Sequence, residues 1–163
     1  MTTKVQAIRK SQAMTARIDY ETAAPAGIKA LGGVYSYVAQ SGLDPVLVEL
    51  VYLRVSQING CAYCLETHTR ALLKREIVPE KLAVLQVWRE AGKAFSARER
   101  AALSWAETVT QVAQTAIPDE AFEDVSSQFE EKEVVDLTIA IGLMNTFNRV
   151  AIAFRRPPTV AEA

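Results

Sequence analysis

Glycine and proline are so sparse here, and so placed, that long helices are what the chain favours. Seven glycines and six prolines stand among 163 residues, they fall where helices start or stop, and no stretch sustains the apolar/polar alternation of a strand. The expected fold is therefore all-α, a compact single-domain bundle of about six to seven helices. Pro25 opens a first helix that runs to about Gln40 and ends at Ser41-Gly42. Asp44 caps a second with Pro45 in its first turn, and Val46, Leu47, Leu50, Val51, Leu53 and Val55 make it mostly buried. Asn59-Gly60 stops it, since both residues tolerate the left-handed conformation of a helix end.

A third helix is expected from about Cys61 to Lys74, and a fourth from Pro79 to near Gly92. Ser96 with Glu99 forms a capping box for a fifth through Val112, and Asp119 caps a short sixth. The last runs roughly from Glu130 to Arg155 and ends before Pro157-Pro158. This divides the chain into an N-terminal arm (1–24), a helical domain carrying the cysteines (25–156) and a C-terminal tail (157–163).

Charge and hydropathy exclude several classes of function. Lys and Arg total 18 against 19 Asp and Glu, with no basic run long enough to neutralise a string of phosphates, so nucleic acid is not an expected partner. Met1 to Ala24 lacks the apolar block of a signal peptide, which points to the cytoplasm. The longest apolar segment, Val134 to Phe154, is interrupted by Asp136, Asn145, Asn148 and Arg149 and reads as a buried helix, not a membrane span. Apolar residues on nearly every helix exceed what one small core hides, which predicts a homo-oligomer.

The chemistry concentrates at one place. The only two cysteines form Cys61-Ala62-Tyr63-Cys64, and the only histidine follows at His68. On a helix advancing about 100° per residue, positions 61, 64 and 68 fall within roughly 60° of one another, so all three side chains share a face. Residues three apart have Cα atoms about 5 to 6 Å apart, a spacing that a disulfide accepts. Unpaired amides at a helix N-terminus and an imidazole one turn away both favour thiolate, and in a cytosolic protein CxxC then reads as redox. Two other readings stand beside it. One is half of a zinc site, with the fourth ligand from Glu49 or another subunit; the other is a pair of buried cysteines beside a core histidine. Glu49 interrupts the apolar run Val46 to Leu53. It lies either on a narrow exposed stripe or, if the second and third helices fold back about Gly60, beside His68, where it would orient the imidazole and help it take a proton. Helix-end electrostatics favour Cys61 as the more exposed and more acidic thiol, whereas the one-turn spacing to His68 favours Cys64 as the one deprotonated by a base.

The segment Glu49-Leu50-Val51-Tyr52-Leu53-Arg54-Val55-Ser56-Gln57-Ile58-Asn59-Gly60-Cys61-Ala62-Tyr63-Cys64-Leu65-Glu66-Thr67-His68 resembles the core of the AhpD-like alkylhydroperoxidases, within the carboxymuconolactone decarboxylase family. Ala97 to Glu107 and Asn145 to Arg149 resemble later segments of that family. The resemblance implies an all-helical fold assembled as a homo-oligomer, such as a trimer or hexamer, and thiol-dependent reduction of hydrogen or organic peroxides without cofactor or metal. In the implied chemistry Cys64 attacks the peroxide, Cys61 resolves the sulfenic acid to a disulfide, Glu49 and His68 relay the proton, and a dithiol or protein reductant meets Cys61. Some peroxidase members carry a second histidine between the cysteines, where this chain has Tyr63. A disulfide reductase or redox sensor without strong peroxide turnover, and a metal-binding or scaffold protein, are the competing functions.

Overall fold

The computed structural model describes residues 15–159, so most of the expected arm and the last four residues of the tail lie outside the described residues. Nine α-helices and no strands are found among them: α1 (Tyr20–Ala23), α2 (Pro25–Ala39), α3 (Pro45–Asn59), α4 (Ala62–Leu73), α5 (Pro79–Ala83), α6 (Ala97–Thr110), α7 (Val112–Thr115), α8 (Asp119–Ser126) and α9 (Glu131–Ala153). The all-α expectation holds, and the additions are two single-turn helices, α1 and α7. Within the expected arm, Asp19 caps α1 by accepting from the amides of Glu21 and Thr22. Asp44 caps α3 through the Val46 amide, Gly60 ends it at φ 70°, and Ser96 and Glu99 form the capping box of α6.

Three local expectations need correction. The helix expected from Pro79 to Gly92 ends at Ala83, and two 3₁₀ turns follow, Leu85–Val87 and Gly92–Ala94. Leu82, Leu85 and Trp88 are the buried residues there; their spacing of three matches the 3₁₀ repeat and would drift around an α-helix. Pro118 is the N-cap of α8 and Asp119 its first residue, so the carboxylate serves the helix dipole and does not cap. Finally, Gly27, Gly32, Gly33 and Gly142 lie inside helices, not at their ends.

The core is arranged around α3. Leu50, Val51 and Tyr52 are consecutive and all buried, as in a helix surrounded on every side. One flank packs Leu47, Val51 and Val55 against Trp105, Leu137, Ile141 and Met144 of α6 and α9. The other packs Leu50 and Leu53 against Leu72, Leu85, Trp88 and Leu103. Each such side chain contributes about 1.5–3 kcal/mol on burial, so α3 is the best-anchored element and a rigid base for anything it carries. Among the described residues no helix is long and apolar enough to cross a membrane.

Candidate active site

Gly60, in the left-handed conformation, reverses the chain between α3 and α4, so the two helices pack side by side. Cys61 occupies the N-cap of α4, and its Sγ accepts from the Cys64 amide at 3.3 Å. The two cysteines are paired as a disulfide, with Cα atoms 5.3 Å apart, within the range that the helical spacing allows. A partly buried polar network holds this turn against α9. Asn59 donates to the Oδ1 atoms of Asn145 (3.0 Å) and Asn148 (2.9 Å), and Asn148 donates to Ser56 Oγ (3.0 Å). With its hydrogen bonds satisfied inside the protein, such a network fixes geometry where loose packing would not.

The fold-back brings Glu49 and His68 together, with Nδ1 to Oε2 at 2.8 Å. Glu49 is 8% exposed and His68 7%, so the carboxylate does not lie on an exposed stripe. A buried carboxylate on Nδ1 orients the ring and leaves Nε2 as its free nitrogen. Cys64, one turn before His68, lines the same cavity as the imidazole, a space of about 250 Å³ whose other walls include Tyr20, Ile28, Tyr35, Tyr63, Met144 and Phe147. Cys61 is not on that wall.

The expectation that Cys61 is an exposed thiol is not met: both cysteines are buried, Cys61 at 1% and Cys64 at 4% exposure. The left-handed turn at Gly60 tucks Cys61 into a small cluster with Cys64 and Ala151 of α9, and Tyr63 packs against it. The sulfur that faces the cavity is Cys64.

Several residues at the site carried no signal of their own in the sequence. Arg156 donates to Tyr20 Oη (2.9 Å) and Glu21 Oε1 (2.6 Å), and its guanidinium lies 4.4 Å from the centre of the Tyr63 ring. Tyr63 is therefore both part of the cavity wall and the platform for this cation. Tyr52 stands with its ring centre 5.2 Å from that of His68 and 6.1 Å from that of Tyr35. Only the fold juxtaposes these residues, some of them more than 130 positions apart. A larger cleft, about 540 Å³ between α8 and α9, contains no cysteine or histidine. Among the described residues no group of three or more His, Cys, Asp or Glu side chains is placed to hold a metal ion.

Residues 25–108 match the Carboxymuconolactone decarboxylase family. An uncharacterized protein, YdfG, of Bacillus subtilis (strain 168) is 34% identical over 140 residues, 86% of this chain and 95% of that one. Alkyl hydroperoxide reductase AhpD of Koribacter versatilis (strain Ellin345) is 43% identical over 53 residues, 32% of this chain and 27% of its own length. The crystal structure of a protein of unknown function from Agrobacterium tumefaciens is similar at a TM-score of 0.87 and 38% identity, covering 90% of this chain and 100% of that chain.

Proposed function

The chain belongs to the carboxymuconolactone decarboxylase family as an AhpD-like member, and from that premise and the chemistry of the site we propose that it is a thiol-dependent peroxidase. The reading rests on one observation: a closable cysteine pair whose Cys64 shares a largely apolar cavity with His68, itself hydrogen-bonded to Glu49. In the reduced protein His68, held by Glu49, takes the Cys64 proton. The thiolate attacks the terminal peroxide oxygen; the O–O bond breaks, the alkoxide leaves and recovers the proton as an alcohol, and Cys64 becomes a sulfenic acid. The Cys61 sulfur then attacks Cys64, the S–O bond breaks and water departs, leaving the disulfide.

Reduction reverses the pair at the expense of an external dithiol. Because Cys64 and not Cys61 faces the cavity, the expected contact of the reductant with Cys61 is reversed in this reading: the incoming thiolate attacks Cys64 Sγ and expels Cys61, whose developing charge is met by the Cys64 amide. A thiolate stabilised in this way is the better leaving group. The second thiol of the reductant releases Cys64, so one peroxide and one dithiol become one alcohol, one water and one disulfide. Enclosure of both sulfurs speaks against a general protein disulfide reductase.

The test is consumption of cumene hydroperoxide by the protein supplied with dithiothreitol, with alkylated peptides followed by mass spectrometry and zinc measured on the same sample. Multiple turnovers with an intramolecular Cys61–Cys64 bridge are expected. A single oxidation without turnover would make the protein a redox sensor, and thiols protected by stoichiometric zinc would make it a metal protein.

A further inference from the structure

The Glu49–His68 hydrogen bond spans two different cavities. His68 lines the cavity that holds Cys64, whereas Glu49 lines a second chamber of about 110 Å³ together with Tyr52, Val48, Ala39, Arg75 and Tyr35, the last a wall common to both. Tyr52 is 1% exposed, yet its hydroxyl has no hydrogen-bond partner in the protein. A buried hydroxyl is ordinarily paired, and a chamber of this size with a carboxylate on its wall has room for several waters that would pair it. Tyr35, Ala39, Pro45 and Arg75 on its rim are exposed, so the chamber meets solvent there.

We propose that this chamber is a water-filled proton route, in which water bonded to the Tyr52 hydroxyl links the Glu49–His68 pair to solvent from the Glu49 end of the dyad. The inference rests on the peroxidase reading only for its purpose, since that chemistry moves one proton off Cys64 and returns one. The geometry stands without it. The groups facing the chamber from the surrounding elements are Glu49 and Tyr52 of α3, Tyr35 of α2 and Arg75 beyond α4, with His68 behind Glu49. Burial, with the Tyr35 and Glu49 groups nearby, raises the Tyr52 phenol above its ordinary range. Tyr52 therefore remains neutral, accepting one hydrogen bond and donating another, and passes a proton without ever holding a charge.

The experiment uses the single histidine. In reduced full-length protein labelled with ¹⁵N-histidine, the only imidazole resonances belong to His68, and exchange of the proton between His68 Nδ1 and Glu49 with water is measured directly by NMR. Tyr52→Phe should slow that exchange by about tenfold, less than the 10²–10⁴ typical of removing a direct general base. Ala39→Phe, which adds a ring at a lining position in the last residue of α2, should slow it as well. A substitution that merely loosened the fold would speed exchange through local opening, so structural damage has the opposite sign. Exchange within twofold of wild type in both variants, with the rest of the spectrum unchanged, overturns the proposal. Slow exchange in the variants of a protein that never oxidises its thiols with peroxide upholds the chamber and removes the peroxidase reading instead.

Discussion

At the scale of residues, the two cysteines separate by what each one faces. Cys64 lines the cavity with His68, while Cys61 is enclosed and receives the Cys64 amide. Cys61→Ser should therefore react once with peroxide and stall as a Cys64 sulfenic acid trapped by dimedone. Cys64→Ser should leave Cys61 slow toward peroxide, because no thiol then shares the cavity with the base. Fast dimedone labelling of Cys61 in Cys64→Ser would reverse the assignment and rank helix-end electrostatics above the imidazole. His68→Ala should slow single-turnover oxidation by about 10²- to 10⁴-fold, the range for a positioned general base. Glu49→Gln should slow it less, since it disturbs the ring's orientation and not the base itself. Stopped-flow oxidation across pH checks both; wild-type rates for Glu49→Gln at every pH would remove the carboxylate from the relay.

At the scale of elements, two joints hold the site in place. Gly60 turns the chain at φ 70°, and a Cβ there meets no atom within 4 Å, so Gly60→Ala is penalised by backbone conformation alone, by about 1 kcal/mol. Urea unfolding of the reduced protein measures it, and an unchanged midpoint would mean that the turn relaxes without strain. Glu107 is the second joint: it accepts from Arg54 Nε and Trp88 Nε1, both at 2.8 Å, and pairs with Arg89, tying α6 to α3 and to the 3₁₀ segment. Burial opposes its ionisation, but the bonds from Arg89, Trp88 and Arg54 outweigh that and hold its carboxyl below the usual glutamate range. A depressed folded value contributes stability above the unfolded pKa, and that contribution is lost as pH falls through the folded value. Glu107→Gln should thus lower stability at pH 7 by about 2 kcal/mol, the worth of hydrogen bonds to a charged group, and flatten the acid limb of a thermal-stability profile. Parallel wild-type and variant profiles would show that the cluster contributes nothing that depends on charge.

At the scale of the whole molecule, α2 is the element whose apolar content the chain itself leaves largely uncovered. Val34 and Tyr37 are each more than a third exposed, and Val38 alone on that helix is buried. Covering such a face removes a patch of a kind monomers seldom keep, so the protein is expected to sediment as a homo-oligomer, a trimer or hexamer by family resemblance. A monomer in sedimentation velocity at high concentration would overturn this.

The helical class, most helix boundaries and the grouping of Cys61, Cys64 and His68 were legible in the chain because they rest on short-range rules: propensity, capping, and side-chain positions one turn apart. The break from α-helix to 3₁₀ after Ala83 was not, since the burial of Leu82, Leu85 and Trp88 chose the winding. Glu49 carried two readings in the sequence, and only the packing of α3 on α4 decided between them, because nineteen residues and a chain reversal separate it from His68. The same holds for the burial of both cysteines, which cluster with Ala151 of α9, and for the meeting of Tyr20, Tyr63 and Arg156 beside the cavity. Local backbone energetics act over a few residues and are written in order along the chain, whereas enclosure and long-range contact depend on which distant surfaces the hydrophobic core brings together.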